Sequence, residues 1–101
     1  MNKVESEYAM ILEAMKRKGE ILRYQFEGIT LRFANVRYTP DFVVFDVGLC
    51  RGMVKFIEVK GPFIKGNRER AVERFRHAKT YWPEFTFEMM QKKDGAWNQI
   101  I

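Results

Sequence analysis

The run Phe42-Val43-Val44-Phe45 is apolar without interruption and β-branched in part. A strand exposed on one face alternates polar and apolar residues. A continuous run instead needs cover on both faces, so this segment reads as a central strand of a sheet. Pro40 lacks an amide proton and suits the entrance of that strand rather than its middle. Met53 to Val59 reads as a second strand, ending at Lys60-Gly61-Pro62, with Asp46 to Gly52 turning the chain between the two. At 101 residues there is room for one domain and one core, spanning 1–101.

Helices supply the cover. Over residues 4–18, Val4, Tyr8, Ile11, Leu12 and Met15 recur at helical spacing and form one apolar stripe. Lys16, Arg17 and Lys18 suit its C-terminal end, and Gly19 suits the cap. Residues 67–82 form the second helix, with Ala71, Phe75, Ala78 and Trp82 on one face and Pro83 as the stop. Short strands are expected near 21–26 and 29–34, joined through Glu27-Gly28. Phe85 to Met90 is a further strand. Asp94-Gly95 signals a turn, and residues 97–101 form a last strand or a tail. The order is helix, three or four strands, helix, strand. It predicts an α/β or α+β sandwich, a mixed central sheet flanked by helices, with one crossover near its end.

Two acids stand inside this apolar frame. Asp41 opens the Phe42–Phe45 run, and Glu58 sits between Ile57 and Val59. An ionised carboxylate in such surroundings needs a cation or hydrogen bonds. Glu58 and Lys60, two apart on a strand, point to the same face. An antiparallel hairpin with a short pairing offset brings Asp41 to Glu58. Two carboxylates on adjacent strands, with the main-chain carbonyl of Val59, suit a hard divalent cation, Mg²⁺ first and Mn²⁺ as a substitute. Lys60 is then placed to orient an attacking water and to offset developing negative charge. The alternative is a plain ion pair between Glu58 and Lys60 or Asp41, with Pro40-Asp41 as turn chemistry.

Lys and Arg number 18 against 13 Asp and Glu, for a formal net charge of +5. That balance favours a polyanionic partner. Lys65, Arg68, Arg70 and Arg74 follow directly on the Glu58–Lys60 strand and are candidates for phosphate contacts, which position a backbone without reading bases. An ordinary charged helix face, relieved by Glu69 and Glu73, is the alternative. His77 is the single histidine and Cys50 the single cysteine, which excludes an internal disulfide and a thiolate or histidine metal cluster. The first five residues contain no apolar stretch of signal-peptide length, and no run reaches the roughly 18 apolar residues of a membrane span. The expected location is the cytoplasm.

The segments Arg37-Tyr38-Thr39-Pro40-Asp41-Phe42 and Ile57-Glu58-Val59-Lys60-Gly61 resemble the PD-(D/E)xK nuclease superfamily. More narrowly, the chain resembles small phage and prophage proteins of the endonuclease I or Holliday-junction-resolvase type. Lys3-Val4-Glu5-Ser6-Glu7-Tyr8 has the look of their acidic first helix, and the likeness runs from about residue 3 to residue 90. The resemblance implies a restriction-endonuclease-like core, metal binding by Asp41 and Glu58, and catalysis assisted by Lys60. It also implies that Glu5 completes the site, with Glu7 as rival. Glu5 lies beside Leu12 on one flank of the apolar stripe and Glu7 beside Ala14 on the other, so spacing does not choose between them. The implied activity is endonucleolytic hydrolysis of DNA, with branched or junction DNA as substrate and a homodimer as the working form, in the host cytoplasm. The rivals are a nucleic-acid-binding module that keeps the fold without the chemistry, and a phage interaction protein.

Overall fold

The computed structural model describes the backbone of residues 1–47, 50–62 and 68–101, and the side chains of 1–45, 53–62 and 70–101. Helix α1 spans Lys3–Arg17. Strands β1 (Arg23–Phe26), β2 (Leu31–Phe33), β3 (Val36–Tyr38), β4 (Phe42–Val47) and β5 (Cys50–Lys60) follow. Helix α2 (Arg68–Tyr81) and strands β6 (Thr86–Lys93) and β7 (Ala96–Gln99) complete the chain. The architecture is α/β, with a mixed five-stranded sheet in the order β1-β4-β5-β6-β7 and a separate β2-β3 ribbon. Among the described strands, β5 and β6 alone run parallel, and α2 lies between them in the chain as the crossover.

The expected central strands are central. Phe42, Val43 and Val44 are all buried, and the two parities face two cores. Phe42, Val44, Ile57 and Val59 pack beneath Tyr8 and Leu12 of α1. Val43, Phe56, Phe87 and Met89 pack with Phe75 and Ala78 of α2 and with Leu31, Phe33 and Tyr38 of the ribbon. Ile11, expected in the α1 stripe, is exposed instead.

Helix α1 has a cap at each end. The Asn2 side chain accepts the Glu5 amide while the Glu5 carboxylate accepts the Asn2 amide, a capping box. At the other end Glu20 N–H reaches Met15 O and Gly19 N–H reaches Lys16 O. This is a Schellman closure, with Gly19 at φ +78 where a side chain is disfavoured.

Three expectations are corrected. β1 does not pair with the next strand through Glu27-Gly28. It lies antiparallel to β4, with Phe26 opposite Phe42. The tight hairpin is one turn later, at Ala34-Asn35, where both residues have positive φ (46 and 62). Two consecutive positive φ values match the twist of a two-residue hairpin, and Asn tolerates them, but Ala carries no such signal in sequence. Ala34 therefore belongs to a turn rather than to a strand over 29–34. Finally, β4 runs to Val47 and β5 begins at Cys50, so residues 46–47 and 50–52, expected in the turn, are strand, with a register shift between Phe45 and Val47. The Asp94-Gly95 hairpin is as expected, with φ 54 and 76, and it makes residues 96–99 a strand.

Candidate metal and phosphate site

The site stands where β4 begins and β5 ends. Phe42 pairs with Ile57 and Val43 with Phe56, so the antiparallel register carried one step back sets Asp41 against Glu58. Side chains directly opposite share a face. Asp41 and Glu58 therefore lie with Val43 and Phe56, on the side covered by α2 and the ribbon.

Main-chain contacts lock the pair. Asp41 N–H donates to Glu58 Oε1 at 3.1 Å, and Val59 N–H donates to Asp41 Oδ2 at 2.9 Å. On the far side, the Asp41 carbonyl accepts the Glu27 amide at 2.8 Å. The chain bends at Asp41, so its amide and carbonyl reach different neighbours and its carboxyl is aimed by both. A strand residue projects its N–H and C=O from the same edge. The Val59 carbonyl accordingly leaves β5 on the Asp41 side, beyond the end of β4.

Lys60 Nζ lies 3.5 Å from Glu58 Oε2, so a Glu58–Lys60 ion pair is present within the site. It does not settle the charges. Glu58 is only 7% exposed. The Asp41 carboxyl is pushed up to about 7, first by burial and then by the Glu58 carboxylate. The Val59 amide opposes this, Glu5 adds to it, and Lys60 opposes it more weakly. Two carboxylates thus stand side by side in a partly desolvated place, next to one lysine.

An open cleft of about 300 Å³ receives these groups, lined by Arg37, Tyr38, Thr39, Asp41, Glu58, Lys60, Ala71 and Arg74. Tyr38 is the functional candidate that sequence reasoning missed. It is 6% exposed, and its hydroxyl is buried with no hydrogen-bond partner among the described residues. Burial first, then the nearby Glu58 and Asp41 carboxylates, hold its proton far more tightly than an ordinary tyrosine, while Arg74 works the other way. Glu58 is close enough to act on this O–H as an acceptor, although the contact lacks good hydrogen-bond geometry. Tyr38 lies within the Arg37–Phe42 segment that carries the resemblance, but an aromatic residue leading into a strand reads as core.

The remaining candidates separate. Arg74 reaches the cleft from α2, whereas Arg70 is exposed and does not line it. Lys65, Gly66 and the side chains of Arg68 and Cys50 lie outside the described residues. Glu7 is turned to β6, where it pairs with Lys92. Glu5 is the acid whose charge reaches Asp41, although its carboxylate is engaged in the α1 cap at 2.7 Å from the Asn2 amide. His77 is exposed and packs edge-on against Phe33. Among the described residues, no three His, Cys, Asp or Glu side chains converge as a metal cage. The donors that do converge are two carboxylates, with the Val59 carbonyl at the same edge. Paired carboxylate oxygens beside a main-chain carbonyl suit a hard divalent cation.

No described helix is long and apolar enough to cross a membrane. In comparison with known proteins, no protein-family model, curated protein or solved structure matches this chain.

Proposed function

We propose that this chain is a small divalent-metal-dependent endonuclease of restriction-endonuclease-like fold, a divergent relative of the PD-(D/E)xK nucleases that hydrolyses DNA phosphodiester bonds. The observation that carries the reading is the paired Asp41 and Glu58 carboxylates, with Lys60 beside them, at the mouth of a cleft flanked by arginines.

Asp41 and Glu58 would hold Mg²⁺, or Mn²⁺ in its place, together with the Val59 carbonyl. Glu5 would add charge from the end of α1. When bound, the ion supplies Lewis-acid polarisation of a phosphoryl oxygen and lowers the pKa of a coordinated water. The rest falls to the protein. Lys60 orients the attacking water by donating to its oxygen, and its positive charge offsets the charge that builds on the phosphoryl oxygens. Arg74, across the cleft, supplies charge-assisted hydrogen bonds to a non-bridging phosphate oxygen. Tyr38 O–H, beside Glu58, donates to the same phosphate oxygen. The buried wall of Phe56 and Val43 fixes the carboxylates, so little reorganisation accompanies reaction.

Branched or junction DNA, cut by a homodimer in the host cytoplasm, is the substrate class and working form of this proposal. The test is a panel of linear duplex, single-stranded, flap and four-way-junction DNA with Mg²⁺, alongside sedimentation of the protein. Preferential cutting of the branched members by a dimer supports it. An obligate monomer active only on ends contradicts that part.

A second reading is a DNA-binding module without chemistry. It draws on one observation, the engagement of Glu5 in its own helix cap, which leaves two acids where the resemblance implies three. Binding of the panel with no cleavage under any divalent ion would favour it.

A further inference from the structure

The β2–β3 ribbon carries a feature that the carboxylate site does not use. Arg32 and Arg37 are direct cross-strand partners. Both are exposed, on the face opposite buried Leu31 and Tyr38. Like charges set directly opposite destabilise a ribbon, and a two-stranded ribbon has little stability to spare. Neither arginine forms an ion pair with any described residue. The pairing is offset when an anion lies across both.

Beside this pair is an aromatic surface. Tyr81, the last residue of α2, is 53% exposed. One face of its ring rests on Phe33, with centroids 5.4 Å apart and planes at 27°. The ring also meets Trp82 edge-on, with centroids 5.4 Å apart and planes at 67°, and its exposed part lines a groove of about 440 Å³ together with Arg32, Asn35 and Arg37. Arg37 lines the carboxylate cleft as well. Arg37 therefore stands between the groove at Tyr81 and the cleft that holds Arg74 and Lys60.

We propose that this groove binds an unpaired DNA strand, with one base stacked on Tyr81 and the adjoining phosphates on Arg32 and Arg37. Alternating cation and open aromatic face is the chemistry that recognises single strands, because each nucleotide offers a phosphate and a π-face. A duplex offers only the phosphates, since its bases are stacked on one another. The site thus favours substrates with a splayed strand next to the scissile bond. The direction of that strand, toward Asp41 and Glu58, rests on the nuclease reading; the binding itself does not.

The test uses the full chain in EDTA, so that no cutting occurs, with a fluorescent single-stranded oligonucleotide and a duplex of equal length. Thermal melts confirm that each variant folds. Tyr81→Ala is expected to weaken single-strand binding about tenfold and duplex binding by less than about twofold, with Tyr81→Phe retaining wild-type affinity. Arg32→Ala with Arg37→Ala is expected to lower the salt slope of single-strand binding by about 1.4, two phosphate contacts' worth. Equal losses on both DNAs in Tyr81→Ala, no loss on either, or tighter duplex than single-strand binding by the wild type overturns the proposal. A parallel Mg²⁺ cleavage assay separates the two readings. Tyr81-dependent binding without cutting keeps the groove and removes the nuclease. Cutting with Tyr81-independent binding keeps the nuclease and removes the groove.

Discussion

Asp41 and Glu58 hold each other through the main chain: the Asp41 amide donates to the Glu58 carboxylate, and the Asp41 carboxylate takes the amide of Val59, the residue after Glu58. Each acid is therefore aimed by the other's strand. The arrangement concentrates negative charge and lifts the Asp41 carboxyl to about 7.

That elevation fixes the sign of a pH dependence. The folded-state pKa lies above the reference value of 3.8, so the fold binds the Asp41 proton more tightly than the unfolded chain does. The associated stabilisation is full below about 4 and is lost as pH rises through about 7. Each tenfold fall in proton activity across that window removes at most roughly 1.4 kcal/mol. Asp41→Asn keeps an acceptor for the Val59 amide and carries no charge. Without metal, its stability relative to wild type should climb from about pH 4 to about pH 8 in denaturant titrations. A difference that stays flat across this window would contradict the stated electrostatics.

Mg²⁺ competes with the same proton. Millimolar MgCl₂ should raise the wild-type Tm more at about pH 8 than at about pH 5.5, and should do little for Asp41→Asn or Glu58→Gln. Equal shifts in all three proteins would mean that the ion binds elsewhere.

Tyr38 separates function from folding. Its hydroxyl has no partner among the described residues, so Tyr38→Phe should alter stability by less than about 1 kcal/mol, or improve it. Cleavage should nonetheless fall about tenfold, the loss of one hydrogen bond to a charged group. By contrast Phe75, fully buried on the inner face of α2, should cost about 3–5 kcal/mol when truncated to Ala.

Much of this was legible in the sequence, and the reasons are local. The apolar run at Phe42, the Tyr8 and Leu12 stripe, the Gly19 cap and the Asp94-Gly95 turn each carry their own signal within a few residues. The acids Asp41 and Glu58 were visible because a charge in an apolar strand needs an explanation. What stayed hidden depends on tertiary pairing. The partner of β1 is a strand distant in sequence, and Ala34 adopts its turn conformation only because Asn35 and the ribbon impose it. Spacing left Glu5 and Glu7 equivalent; they are separated by Lys92 on β6, which takes Glu7. The seating of Tyr81 against Phe33 is likewise a contact between elements distant in sequence.

Glu5 offers a clean comparison, because Gln also serves at its position in a capping box. Glu5→Gln should keep the stability of α1, while Asn2→Ala should lower it by about 1 kcal/mol. Calorimetry should show Mg²⁺ binding weakened severalfold in Glu5→Gln, less than in Asp41→Asn. Unchanged affinity would confine Glu5 to its cap.

The most direct measurement is Mg²⁺-dependent cleavage of a four-way-junction substrate by wild type and by Lys60→Ala, with both proteins first shown to be folded. The expected result is products that require the metal and are lost in the variant. Metal-dependent cutting that persists in Lys60→Ala, or no cutting by the wild type with either Mg²⁺ or Mn²⁺, would contradict it.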